Sequence, residues 1–123
     1  MKDGYGIKHI LPQLDMKAVI ITGRKSEIVS RRAKELDIEY VFQGVSDKLE
    51  CLSKFIKELE IKLEEVVYIG DDINDLECME TVGYKCCPAD AHIEVKKVAD
   101  YIARNNGGNG AVREIIDKLY LTV

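Results

Sequence analysis

The 123-residue chain has only two prolines, four cysteines and no aliphatic run longer than Ala18-Val19-Ile20-Ile21. A bilayer crossing takes about 20 consecutive apolar residues, so no membrane span is expected. Residues 1–14 place Asp3, His9, Pro12 and two glycines where a secretory signal would be continuously apolar, which gives the cytoplasm as the expected location. Positive charge is not in excess either. Eighteen Lys and Arg against twenty-two Asp and Glu leave a net charge of −4 and a pI near 5.2, which disfavours nucleic acid as a partner. Cys51, Cys78, Cys86 and Cys87 lack the C-x-x-C spacing of a zinc site, and the adjacent pair cannot readily bridge, so reduced and mostly buried thiols are expected. With no internal repeat and no linker, and with 46% hydrophobic and 33% charged residues, residues 1–123 read as a single folded domain.

What is present is an alternation of short aliphatic runs with longer segments of helical period, the pattern of an α/β domain with a mainly parallel sheet. Strands are expected over 17–22, 39–42, 66–69 and 84–87, with a short edge strand over 100–103. Between them, Ile28, Val29, Ala33 and Leu36 line one face of a helix that follows Ser26. Leu49, Leu52, Phe55, Ile56 and Leu59 line a second helix, with Ser46 as its expected N-cap. Leu76, Met79 and Val82 give a short helix closed by Gly83 in a C′ position. Further helices are expected over 93–99 and, after Gly107-Gly108-Asn109-Gly110, over 111–121.

Ligands of open parallel sheets bind at the carboxyl ends of strands. Two of those ends are chemically loaded. Thr22-Gly23-Arg24 offers a hydroxyl, a glycine that admits backbone amides to a ligand, and a guanidinium suited to phosphate or carboxylate. It is either an anion site or an ordinary strand-to-helix turn. Gly70-Asp71-Asp72-Ile73-Asn74-Asp75 gathers three carboxylates that repel one another unless a cation offsets them. Hard oxygen ligands of this kind suit magnesium, and an acidic helix-capping loop is the other reading. Lys48 opposes the dipole in the first turn of its helix; it either offsets Asp71 and Asp75 at the same sheet edge or is simply solvated.

The order of these pieces resembles the haloacid dehalogenase superfamily of phosphotransferases: Thr22 is similar to its second motif, Lys48 to its third, and Gly70-Asp71-Asp72 with Asp75 to its fourth. Within it, Asp3-Gly4-Tyr5-Gly6-Ile7, Ile21 to Arg24, Gln43 to Lys48, Pro88 to His92 and Gly107 to Glu114 are similar to the 3-deoxy-D-manno-octulosonate 8-phosphate phosphatases. The same pattern also resembles the phosphatase-like carboxyl-terminal domain of some sialic acid cytidylyltransferases.

The resemblance implies a three-layer sandwich with a mainly parallel, Rossmann-like sheet and magnesium-dependent (Mg2+) hydrolysis of 3-deoxy-D-manno-octulosonate 8-phosphate or a related sialic-type sugar phosphate in lipopolysaccharide biosynthesis. By the same resemblance Asp71 ligates magnesium, and Asp75 stands beside Lys48 in the catalytic group. Thr22 and the Gly23 amide, with Lys48, hold the phosphoryl oxygens, and Arg24 reaches the substrate's phosphate or acid group. Members are commonly homotetramers in which the glycine-rich tail closes a neighbour's site. Two features depart from the family pattern. No D-x-D, the family's nucleophile and acid motif on its central first strand, occurs in these 123 residues, and Asn109 stands where arginine is usual. The strands 18–22 and 66–70 are therefore expected either to flank a gap or to have closed onto each other, and the chain as written to lack turnover. A non-catalytic assembly or regulatory domain associated with a cytidylyltransferase is the alternative.

Overall fold

A computed structural model describes residues 2–122. Five short parallel strands are present among them: β1 (Val19–Ile21), β2 (Tyr40–Phe42), β3 (Val67–Ile69), β4 (Tyr84–Cys87) and β5 (Tyr101–Ile102). They form two sheets, β1-β2 and β3-β4-β5. Val19 pairs with Tyr40 in the first, and Val67 with Tyr84 and Cys86 with Tyr101 in the second. β1 and β3 thus each bond to a neighbour on one side only. Ile69 is exposed, whereas a strand inside a continuous parallel sheet is covered on both faces. Of the two expected outcomes, the strands remain unpaired with each other.

The helices are α1 (Lys2–Tyr5), α2 (Glu27–Glu35), α3 (Lys48–Glu58), α4 (Leu76–Thr81), α5 (Ile93–Val98) and α6 (Ala111–Thr122). Leu52, Phe55 and Ile56 of α3, Cys78 and Met79 of α4 and Val95 of α5 share one core with Tyr68 and Cys87. On the opposite side, Cys86 and Ala103 pack with Ala111 and Ile115 of α6. Successive strand residues point to opposite faces, so adjacent Cys86 and Cys87 enter different cores and both are fully buried. All four cysteines are free, and burial, followed by the nearby Asp100 and Cys87, pushes the Cys86 thiol up to about 12.

Two devices hold β1-β2 to the rest. Phe55 of α3 meets the rings of Tyr40 and Phe42 of β2 at centroid distances of 4.8 and 5.2 Å, while neighbouring Leu52 and Ile56 reach the core beneath β3. The amino-terminal segment, helical through Leu14, lies between α2 and α6. Lys8 donates to the Glu35 carbonyl, and the Arg113 amide donates to Asp3.

Three local expectations need correction. Asp47, not Ser46, caps α3, accepting from the Glu50 amide at 3.1 Å. Ile28 is 76% exposed instead of packed. It stands five residues from the buried Ala33, about 140° around the helix, so the two cannot share a face. Gly83 does follow α4, but its φ is not positive. Its role is close approach: a Cβ there would lie 2.0 Å from the Glu64 carbonyl oxygen. Left-handed closures occur instead at Asp37 and Glu60, just after α2 and α3, where the following amides reach back to Ala33 and Ile56.

Glu114 in the first turn of α6 fixes the chain after β5. Its carboxylate accepts from the Tyr101 hydroxyl, the Arg104 and Asn105 amides and the Asn105 side chain. Burial pushes its pKa up, and these hydrogen bonds overcome that and hold it below its ordinary 4.5. Because the folded pKa is depressed, the contribution to stability is present above about pH 4.5 and is lost as the pH falls through the folded value. Glu114→Gln is expected to flatten acid destabilisation between about pH 5 and 3, by roughly 1 kcal/mol or less given solvent screening. Urea midpoints across that range measure it. Phe55→Ala is expected to cost about 3–5 kcal/mol by the same method, because a large aromatic leaves a cavity at the junction of the two sheets.

Candidate functional site

The site is built around one carboxylate. Asp75 ends the helical turn that follows β3 and is only 3% exposed. Its Oδ1 accepts from the Lys48 ammonium at 2.8 Å and from the Tyr68 hydroxyl at 2.6 Å. Its Oδ2 accepts from the backbone amides of Asp71 and Asp72 at 3.0 and 3.2 Å. Burial works to raise the pKa of Asp75, and the four hydrogen bonds, led by those of Lys48 and Tyr68, prevail and keep it below the usual carboxylate range. Gly70 makes room for this arrangement, since a Cβ there would stand 2.7 Å from that of Asp75 and 2.8 Å from the Met79 sulfur.

Asp71 has the opposite character. Its amide serves Asp75, its carbonyl accepts from the His92 amide at 2.9 Å, and its side chain faces outward. Partial burial, then the neighbouring Asp75 and Asp72, raise its pKa. That is a carboxylate whose negative charge is incompletely offset, and a hard divalent cation would relieve it. Among the described residues no group of three His, Cys, Asp or Glu side chains is placed to hold a metal unaided. Asp75 is already saturated, so Asp71 alone fits a magnesium ion as a protein ligand, with the other positions filled from elsewhere. Asp72 is turned to the Ile73 amide as a helix cap.

Thr22, Gly23 and Arg24 leave the end of β1 as a loop clipped to the chain after β2. The Val45 amide donates to the Thr22 carbonyl and the Gly44 amide to that of Arg24. The Arg24 amide donates to the Thr22 hydroxyl at 3.3 Å, and the Arg24 and Gly23 positions are exposed. No hydrogen bond or ion pair among the described residues joins this loop to Asp71 or Asp75. The connection runs through residues 45–48, which leave the clip, cap α3 at Asp47 and deliver Lys48 to Asp75.

The structure gives tasks to residues that the pattern left without one. Tyr68, two positions before Gly70, offered one signal: a phenol in an otherwise aliphatic strand needs a partner when buried. Asp90 Oδ1 receives the Gly107 amide at 2.8 Å, which ties the glycine-rich segment to the loop after β4. His92 caps α5 through Nδ1. A depression of about 600 Å3 lies elsewhere, between Tyr101, Arg104, Glu114 and Lys118, whereas a convergence of charges marks the candidate site.

Short parallel strands flanked by helices, with a hydroxyl beyond the end of β1 and an ammonium and paired carboxylates beyond the end of β3, define an α/β domain whose polar groups stand at the carboxyl ends of its strands. The model of the haloacid dehalogenase-like hydrolases matches residues 27–115, and the chain belongs to that family. The 3-deoxy-D-manno-octulosonate 8-phosphate phosphatase of Escherichia coli (strain K12) is 45% identical over 121 residues, which cover 98% of this chain and 64% of that protein. The chain thus spans just under two thirds of the length of the curated relatives it matches. A crystal structure of the phosphatase of that name from Yersinia pestis superposes with a TM-score of 0.93 at 42% identity, over 98% of this chain and 64% of the other. The enzyme from Moraxella catarrhalis, solved in complex with magnesium, phosphate and a KDO molecule, superposes with a TM-score of 0.93 at 41% identity, over 98% and 68%.

The Lys48 and Asp75 side chains are 13% and 4% exposed, so removal of one partner leaves the other charge in a poorly solvated place. Lys48→Met is expected to lower stability by about 3–5 kcal/mol, the range for breaking a buried pair. Denaturant titration of the purified variant measures it.

Proposed function

We propose that this chain is the larger part of a magnesium-dependent phosphatase acting on 3-deoxy-D-manno-octulosonate 8-phosphate or a closely related sialic-type sugar phosphate. One observation carries the reading: a lysine ammonium held 2.8 Å from a buried aspartate, which also orients the loop bearing an outward, partly uncompensated carboxylate. The naming of the relatives as phosphatases supports the substrate class. Magnesium is supported by the ion in the Moraxella catarrhalis complex and by the chemistry of Asp71.

In this reading Lys48 and Asp75 form the catalytic pair. The ammonium offsets charge on the transferring phosphoryl group, and Asp75 keeps it in place. The Thr22 hydroxyl and the Gly23 amide hold phosphoryl oxygens, and Arg24, exposed at the rim, meets the substrate's phosphate or acid group. Asp71 holds the metal, which supplies charge neutralisation at the phosphoryl oxygens when bound. The nucleophile and the acid for the departing alkoxide come from a D-x-D strand that these 123 residues do not contain. The open edges of β1 and β3, which line one core, support a position for that strand between them. A cytoplasmic homotetramer, with the segment around Gly107 to Gly110 reaching a neighbour, belongs to the same proposal.

Hydrolysis of 3-deoxy-D-manno-octulosonate 8-phosphate with magnesium is the test, run on the chain alone and on the chain extended upstream through a D-x-D strand. The chain alone is expected to show no turnover above background and weak magnesium binding by calorimetry. The extended form is expected to turn over, and Asp71→Ala or Lys48→Ala in it to remove about 100-fold of the rate or more. Turnover by the pure, unextended chain would require another nucleophile. An extended Asp71→Ala variant with full activity would overturn the metal assignment on its own.

A further inference from the structure

Tyr68 sits in the middle of β3 with its ring in the core cluster that includes Leu52, Cys78 and Met79. A phenylalanine would fill that space equally well, so the hydroxyl calls for a reason of its own. It donates to Asp75 Oδ1 at 2.6 Å, onto the same oxygen that takes the Lys48 ammonium. A carboxylate offers about four acceptor directions, two on each oxygen. Here all four are taken, by Lys48, Tyr68, and the amides of Asp71 and Asp72. The four donors differ in how firmly each is fixed. Lys48 reaches the site at the end of a flexible four-carbon stem, and the two amides belong to the loop that Asp75 itself organises. The phenol alone is mounted on a strand with its ring packed in the core.

We propose that Tyr68 is a positioning residue: its hydroxyl locks the orientation of the Asp75 carboxylate and thereby fixes where the Lys48 ammonium and the Asp71 backbone stand. What those positioned groups serve, a phosphoryl group and its metal, rests on the phosphatase reading above. The lock itself is a property of this chain and is tested without turnover.

The experiment is nuclear magnetic resonance of the chain and of Tyr68→Phe, reading the Lys48 ammonium signal and the exchange of the Asp71 and Asp72 amides. In the wild type the ammonium is expected to exchange slowly with water and give a resolved signal. In Tyr68→Phe that signal broadens away, and the two amides exchange about tenfold faster or more, the factor that loss of a hydrogen bond to a charged group corresponds to. Amides of α3 and β4 keep their protection, which separates loss of the lock from general loosening. An unchanged ammonium signal and unchanged Asp71 and Asp72 exchange in Tyr68→Phe would overturn the proposal. Should that variant fail to fold, the wild type still decides: the Tyr68 hydroxyl proton is expected to be slowly exchanging and to cross-relax with the terminal methylene of Lys48, and a freely exchanging hydroxyl would overturn it. Failure of the form extended through a D-x-D strand to hydrolyse the sugar phosphate would defeat the phosphatase reading and leave these signals as they are.

Discussion

The Asp75 carboxylate is the constraint on which the candidate site depends. A buried charge is tolerated when hydrogen bonds and an opposite charge replace its water, and here four donors do so from three parts of the chain. Each donor acquires a position in return. The ammonium of Lys48 is drawn to the end of β3, and the Asp71-Asp72 backbone is curled so that the Asp71 side chain turns outward. Gly70 is required because any larger residue would occupy the space of Asp75. One carboxylate thus gives up its own ligand capacity so that its neighbour can offer one.

That constraint also reaches across the two sheets. Lys48 opens α3, and seven residues on, Phe55 grips Tyr40 and Phe42. The helix that carries the ammonium is therefore the same helix that secures β1-β2 and, through residues 45–48, the Thr22 loop. The ion pair fixes α3 at one end and the aromatic cluster fixes it along its length. Placement of the Thr22 loop relative to Asp71 follows from α3 and not from direct bonding between the two loops.

β1 and β3 were legible in the sequence because each lies in a short, mainly aliphatic run, and α3 because Leu52, Phe55 and Ile56 recur at helical spacing. What escaped was set by geometry beyond local pattern. Ile28 is apolar but on the wrong side of its helix, and Ser46 and Asp47 are both competent caps one residue apart, decided only by the turn of the backbone. Gly83 was legible as a helix terminator, yet its real constraint is the Glu64 carbonyl from a distant turn. For the site, carboxylates beyond a strand were readable as a cluster, but their different tasks were not: Asp75 turns inward because Tyr68 and Lys48 wait there, 7 and 27 residues away. The pairing of Lys48 with that cluster was legible through family resemblance, since a separation of 27 residues carries no periodic signal. Glu114 and Asp90 lie in segments that carry the family resemblance, but their task of fastening the segment before α6 was not legible, for the same reason.

A double-mutant cycle between Lys48→Met and Asp75→Asn, read as unfolding free energy in denaturant, tests most directly whether this pair organises the site and binds α3 to the end of β3. The account predicts strong coupling: the double variant is markedly less impaired than the sum of the single ones, by about 1–3 kcal/mol, because each single change strands the other group. Effects that simply add, within about 0.5 kcal/mol, would show that the two side chains stand near each other without depending on each other and would contradict it.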